Sequence, residues 1–181
     1  MKSEPLLMTM KANLSPEDLS AKEIVNNWQE ENIADIIYGY GEEQFSRRIA
    51  KGIVEARKVK KFETTDELVR VIEESVPNFY KKGKINPATK TFQALRIAVN
   101  DELNALKDGL AKGIEVLKSG GRMSVISFHS LEDRIVKNVF RDSAKAGKII
   151  LINKKPIIPS IKELKENRRA RSAKLRIIEK I

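Results

Sequence analysis

His129 is the only histidine of the 181-residue chain, and it stands in GGRMSVISFHSLEDRIVK, residues 120–137. A Gly pair, an apolar run of strand length and then Ser-Phe-His-Ser describe a strand that ends on polar residues just before a helix. In open α/β sheets ligands collect at that edge, because helix N-termini point there and the loops are free to vary. Ser127, His129 and Ser130 are therefore candidates for polar contacts to a substrate. The plainer alternative is a strand-end histidine bonded to backbone, with Ser130 only a helix cap. A Ser–His catalytic pair is not indicated. Ser130 and His129 are adjacent, so their side chains do not converge easily, and FHSLE is not a nucleophile-elbow sequence. Glu132 and Asp133 fall in the first helical turn, where the helix dipole favours carboxylates without any catalytic role.

A second chemical signal is charge. The net charge is +10, and it is unevenly placed. From Arg134 to the end, 15 Lys and Arg stand against 4 Asp and Glu, a net of +11; the first 133 residues carry 20 against 21. The segment KELKENRRARSAKLRIIEK concentrates Arg168, Arg169, Arg171, Lys174 and Arg176. Arginines in such a cluster can hold several phosphates, some bidentately, so the block fits a polyanion footprint, most simply nucleic acid. A solvated, solubilising surface is the competing reading.

Other chemistries are excluded by composition. There is no cysteine, hence no disulfide, thiolate nucleophile or cysteine-ligated metal, and one histidine rules out a multi-histidine site, so no metal is expected. YGYGEE holds the one Gly-x-Gly, which lacks a third glycine and follows helical rather than strand spacing; it reads as a helix–helix turn, not a phosphate loop. No apolar run approaches the ~20 residues of a membrane span. The opening MKSEPLLMTMKANLSPED has no sustained apolar core or small-residue cleavage site, so the cytoplasm is the expected location.

The elements that must position these residues follow from periodicity. Ser15, Pro16 and Asp18 form a helix-start signal, with Leu19, Ile24, Val25 and Trp28 as its buried face. Ile33, Ile36, Ile37 and Tyr40, then Phe45, Ile49 and Ile53, predict two helices around a turn at Gly39–Gly41. Thr64 with Glu67 makes a capping box for a helix stopping at Pro77, and NFYKKGKINPAT reads as a polar loop. From Phe92 to Leu117 the apolar residues recur every three or four positions, which predicts one continuous helix ended by Gly120 and Gly121. Met123–Phe128 is predicted as a strand buried on both faces of a mostly parallel sheet. Ser130 with Asp133 is predicted to cap the next helix, and KIILIN and AKLRIIEKI supply two more strands. The fold class is thus α/β, with a helical first part and an incomplete sheet. Three strands do not make a well-covered doubly wound sheet.

Five stretches go further. YGEEQFSRRIAKGIVEAR, TTDELVRVIEESVP, NPATKTFQALRIAVNDELNAL, GGRMSVISFHSLEDRIVK and ENRRARSAKLR occur in this order. From about Glu4 to the end the chain resembles the C-terminal part of the bacterial 16S ribosomal RNA cytosine-N4 methyltransferases, the MraW/RsmH family. The resemblance implies a class I S-adenosylmethionine-dependent methyltransferase with a helical domain inserted after the fourth strand. Residues 1–12 would be the remnant following that strand, 13–88 the inserted, RNA-recognising domain, and 89–181 the C-terminal part of the α/β domain with strands five to seven. The family's glycine-rich cofactor loop, the acidic residue after its second strand and its DLG-type segment have no counterpart here. The resemblance therefore implies that catalytic and cofactor-binding residues lie in an N-terminal half, and that this chain alone neither binds S-adenosylmethionine nor acts.

Family chemistry requires a poorly nucleophilic exocyclic amine to be unstacked and held in line with a methyl donor. What the chain would contribute is one wall of the substrate cleft, from Asn100, Ser127, His129 and Ser130, with Arg168, Arg169, Arg171 and Lys174 on RNA phosphates. The expected partners are 16S ribosomal RNA in the small ribosomal subunit and a separate N-terminal half. A non-catalytic RNA-binding or ribosome-assembly protein derived from the enzyme is the alternative.

Overall fold

The computed structural model describes residues 4–181 apart from Leu14, Pro16 and Lys84. The chain forms two compact units, one running to Glu102 and the other from Leu103 to Ile181. The first is helical. It contains α1 (Ala21–Asn27), α2 (Glu30–Gly41), α3 (Ser46–Val59), α4 (Thr65–Ser75), the single turn α5 (Asn78–Lys81) and α6 (Ala88–Asn100). Their apolar faces close over Leu6, Ile24, Ile33, Ile37, Ile49, Ile53, Leu68, Ile72 and Leu95, none of which keeps exposed surface. These are residues at helical spacing, so one stripe per helix is enough to build a shared core. Leu19 and Trp28 pack against its rim. α2 lies along both α3 and α6. A Cβ on Gly41 would stand 2.7 Å from the Lys90 carbonyl oxygen, so glycine is what permits this approach of α2 to α6.

Several local expectations change. Helix α1 starts at Ala21 with Ser20 as its cap, Ser20 Oγ accepting from the Glu23 N–H at 3.1 Å. Ser15 instead belongs to a preceding turn, its N–H donating to the Asp18 carboxylate at 2.8 Å; Pro16 lies outside the described residues. Helix α2 runs through Gly39 and Gly41 and turns at Glu42, whose φ of 48° makes it a non-glycine left-handed cap. The Thr64–Glu67 box forms as expected at the start of α4. The segment read as a polar loop contains α5 and the start of α6.

The long helix is two. α6 stops at Asn100, Asp101 takes a left-handed φ of 49°, and α7 (Glu102–Val116) begins at once. Leu95 and Ile97 are buried on α6, whereas Leu110 and Ile114 of α7 belong to the core of the second unit. The apolar period survives a one-residue break, so the spacing alone did not reveal it.

In the second unit β1 (Arg122–Ser127) is followed by α8 (Ser130–Lys145), β2 (Ile149–Leu151), the short α9 (Ile161–Glu166), a 3₁₀ turn (Arg168–Ser172) and β3 (Lys174–Lys180). The sheet order is β1-β3-β2, and β3 is antiparallel to both neighbours, pairing Met123 with Ile178, Val125 with Arg176 and Ser127 with Lys174. β1 and β2 therefore run in the same direction. The fold is α/β as read from sequence, but the described sheet is antiparallel in its pairing. Nor is β1 buried on both faces: Met123, Val125 and Ser127 face inward, while Ser124 and Ile126 alternate outward and Ile126 is 58% exposed. A short apolar run does not report how many layers cover it. Val136 and Phe140 of α8 close the inner face with Leu110, Ile114, Ile149 and Ile178. Among the described residues, no helix is long and apolar enough to cross a membrane.

Candidate functional site at the end of β1

β1 delivers its last residue, Ser127, into the interior, where its hydroxyl reaches the Lys174 carbonyl oxygen at a long 3.5 Å. The chain stays extended for two more residues, and His129, at φ −136° and ψ 167°, becomes the N-cap of α8. Its Nδ1 accepts from the Glu132 N–H at 3.4 Å. In return Glu132 Oε2 accepts from the N–H groups of Phe128 at 2.8 Å and His129 at 3.2 Å. The box is thus His129 with Glu132, not Ser130 with Asp133 as expected. The two pairs share the same spacing, one residue out of step. Glutamate's extra methylene lets its carboxylate return to the cap N–H. Ser130 is exposed as the first helical residue.

This arrangement fixes the imidazole tautomer. With Nδ1 accepting, the ring proton sits on Nε2. Nε2 lies 3.4 Å from Glu132 Oε1, a distance that permits electrostatic attraction, but the angles make no hydrogen bond. Among the described residues it is a buried donor without a hydrogen-bond partner, and such a group favours an acceptor from outside.

One turn on, the structure assembles a cluster that the sequence did not suggest. Arg176 of β3 grips Asp133 of α8 bidentately, Nε to Oδ1 at 2.8 Å and the second nitrogen to Oδ2 at 3.2 Å, and Lys174 Nζ approaches Oδ2 at 3.3 Å. Asp133 and Arg176 are 9% and 8% exposed. Burial by itself raises the Asp133 carboxyl, but hydrogen bonding and charge from Arg176 and Lys174 outweigh it and hold the group below its ordinary value. The partners stand 43 residues apart, and only the β1–β3 register, setting Val125 against Arg176, brings the arginine beneath α8. No local pattern carries that signal.

The basic cluster divides accordingly. Lys174 is partly engaged by Asp133. Arg168, Arg169 and Arg171 stand exposed on the 3₁₀ turn, and among the described residues their guanidinium groups have no ion pair. The turn is held by Asn167 Oδ1 accepting from the Arg169 N–H at 3.1 Å and by the buried Ala170. That geometry sets three exposed cations on one turn. Asn100 lies in the first unit, and its amide is fully engaged by backbone: Oδ1 accepts from Met10 N–H at 2.7 Å, and Nδ2 donates to the carbonyls of Met8 and Arg96, both at 2.8 Å. It ties the N-terminal segment to α6.

The Gly-x-Gly of the sequence, Gly39 and Gly41, is part of helix α2, where the backbone N–H groups are turned into the helix and present no phosphate cradle.

The sequence profile of the MraW methylase family matches residues 1–181. Over 180 residues the chain is 48% identical to the ribosomal RNA small subunit methyltransferase H of Persephonella marina, an alignment covering 99% of this chain and 60% of that protein. The corresponding protein of Brevibacillus brevis is 50% identical over 178 residues, 90% of this chain and 57% of the relative. That of Synechocystis is 53% identical over 165 residues, 91% and 52% respectively. The chain spans between about half and three fifths of the length of these relatives. With the profile matched from end to end, the chain belongs to the MraW methylase family.

Proposed function

We propose that this chain corresponds to the C-terminal part of an S-adenosylmethionine-dependent enzyme that methylates N4 of a cytidine in 16S ribosomal RNA, in the cytoplasm and on the small ribosomal subunit. The observation that carries the reading is identity of about one half, along nearly the whole chain, to relatives named ribosomal RNA small subunit methyltransferase H. The strand order supports it. β1 and β2 run parallel and are joined through α8, and β3 enters antiparallel between them, which suits strands five, six and seven at one flank of a larger sheet. In the same reading residues 1–12 follow strand four, 13–88 are the inserted helical domain, and 89–181 return to the sheet.

The outer edge of β1 has no partner among the described strands, and Ile126 and Phe128 beside it are 58% and 55% exposed. An unpaired edge next to apolar side chains is a surface that another element covers. We assign it to an N-terminal half that carries the cofactor loop, so the chain alone neither binds S-adenosylmethionine nor transfers a methyl group. The role left to this chain is positioning. Ser127, His129 and Ser130 form one lip of the substrate cleft. Asn100 acts through the segment it anchors, and Arg168, Arg169, Arg171 and Lys174 hold phosphates.

The test is reconstitution. The chain is combined with a separately produced N-terminal half from one of the relatives, given radiolabelled S-adenosylmethionine and small ribosomal subunits, and the digested RNA is separated by mass. N4-methylcytidine formed only with both halves is the expected result. A different methylated nucleoside would overturn the substrate assignment. Salt-dependent RNA binding without any methyl transfer would instead favour a non-catalytic assembly factor.

A further inference from the structure

At the corner between α2 and α3 the first unit carries a cavity of about 400 Å³, within the size range of small-ligand sites. Asp35 and Tyr38 of α2 wall one side, and Gln44, Phe45, Arg47 and Arg48 the other. The corner is rigid. Glu43, without exposed surface, accepts from the Phe45 N–H at 2.9 Å and from the Tyr80 hydroxyl at 2.5 Å, and the Phe45 and Tyr80 rings meet edge-on at 4.9 Å.

Two aromatic rings stand out of this corner. Tyr38 is 68% exposed although Ile33 and Ile37 of the same helix are fully buried, and Phe79 is 71% exposed while its edge meets Phe45 at 6.3 Å. Cations stand beside them. The Arg48 guanidinium lies 6.0 Å from the Phe45 ring centre, and neither Arg47 nor Arg48 has an ion pair among the described residues. Both are exposed. Exposed aromatic faces interleaved with unpaired arginines are the chemistry of a single-stranded nucleic-acid site, where bases stack and phosphates meet the cations. Gln44 can both donate to and accept from a base edge, and Asp35 can accept from an exocyclic amine. A bare anion needs no aromatic ring. An acidic peptide would use the arginines but not the open faces of Tyr38 and Phe79.

We propose that this cavity holds an unpaired nucleotide of a single-stranded RNA, with Tyr38 stacking on its base and Arg47 and Arg48 on the flanking phosphates, while Phe79, exposed beside the cavity rather than lining it, offers a face to a neighbouring base. The proposal rests on the reading of the chain as part of an RNA-modifying enzyme, and it assigns the helical unit a contact separate from the 3₁₀ turn.

The experiment titrates the full chain into an oligoribonucleotide of about eight residues carrying a central 2-aminopurine, whose fluorescence reports stacking. The same sequence as a duplex and a poly-glutamate peptide serve as the other arms. The Tyr38→Ala variant should lose the stacking signal and about tenfold in affinity, and Tyr38→Phe should keep both. The pair Arg47→Ala/Arg48→Ala should weaken binding and flatten its salt dependence. A triple variant, Arg168→Ala/Arg169→Ala/Arg171→Ala, should bind more weakly yet retain the stacking signal. If Tyr38→Ala behaves as the unaltered chain while the triple variant alone loses binding, the RNA reading stands and the cavity assignment falls. Failure of the unaltered chain to bind the single strand, or a preference for duplex or peptide, overturns the assignment as well. All the altered side chains are exposed, and unchanged thermal melts verify that the fold persists.

Discussion

Asp133 is expected to be worth more to the second unit than its position in a helix's first turn suggests. Among the described residues its carboxylate is the one ion-pair partner of Arg176, and Asp133→Ala would leave that guanidinium beneath α8, 8% exposed, with no counter-charge. Removing one member of a buried pair costs ~3–5 kcal/mol, because the other is left desolvated. Lys174, 40% exposed in its side chain, can turn back to water and adds less than about 1 kcal/mol. We therefore expect a loss of about 3 kcal/mol. At ~4–8 °C per kcal/mol for a unit of this size, the melting temperature should fall by about 15 °C. Hydrogen exchange at the β3 amides, Lys174 to Lys180, isolates the effect to this unit, while fluorescence of Trp28 in the first unit serves as the control. The double variant Asp133→Ala/Arg176→Met should recover most of the loss, since apolar groups of similar volume replace a buried pair at little cost. The sign of the pH dependence is fixed. The folded carboxyl lies below the value of ~3.9 in an unfolded chain, so its stabilisation is complete above that value. It is lost as the pH falls through the depressed folded value, and the deficit of the variant should shrink below about pH 4. Exchange in Asp133→Ala at the unaltered rate at pH 7, or a deficit that grows on acidification, would refute the reasoning.

Three further outcomes are expected. His129→Ala should destabilise the start of α8 by ~1 kcal/mol, seen as faster exchange at the Glu132 amide, and His129→Asn should restore the cap. Loss of methyl transfer in a reconstituted enzyme carrying His129→Asn would then report the Nε2–H rather than the helix. Gly41→Ala should cost ~1–3 kcal/mol, because its Cβ would lie 2.7 Å from the Lys90 carbonyl oxygen and α2 must move away from α6; a melt followed by Trp28 fluorescence checks it. Removing the three guanidinium groups of Arg168, Arg169 and Arg171 should lower the slope of log binding constant against log salt by about 2 for single-stranded RNA, as titrations at several salt concentrations would show.

The sequence was most informative where a single local interaction decides the structure. Thr64 and Glu67 are three residues apart, a threonine beside a glutamate at the right distance has one good use, and the box forms. The strand from Met123, helices α2, α3 and α4 and the basic step at Arg168–Arg171 were legible for the same reason: their periodicity or composition needs no distant partner. Legibility failed in two ways. In some places one pattern admits two geometries. Leu103, Leu106 and Leu110 continue the spacing of Leu95 and Val99, yet Asp101 breaks the helix between them, because a single left-handed residue interrupts the helical backbone without disturbing the count. At the end of β1, Ser130–Asp133 and His129–Glu132 are both plausible boxes, and the choice depends on how far the strand stays extended. In other places the deciding partner is remote. Asp133 looks like an acid placed for the helix dipole until β3 arrives with Arg176 beneath it. The two failures are linked at this site. Had Asp133 capped the helix, its carboxylate would have been spent on the backbone and Arg176 would have been buried without a counter-charge. With His129 and Glu132 closing the helix instead, Asp133 is released inward to pair with Arg176, and the imidazole is held with Nε2–H as its one uncommitted donor. The cap that sequence assigned to the wrong pair is therefore what makes the end of β1 a candidate site at all: it sets the tautomer of His129 and fixes α8 to β3 in the same few residues.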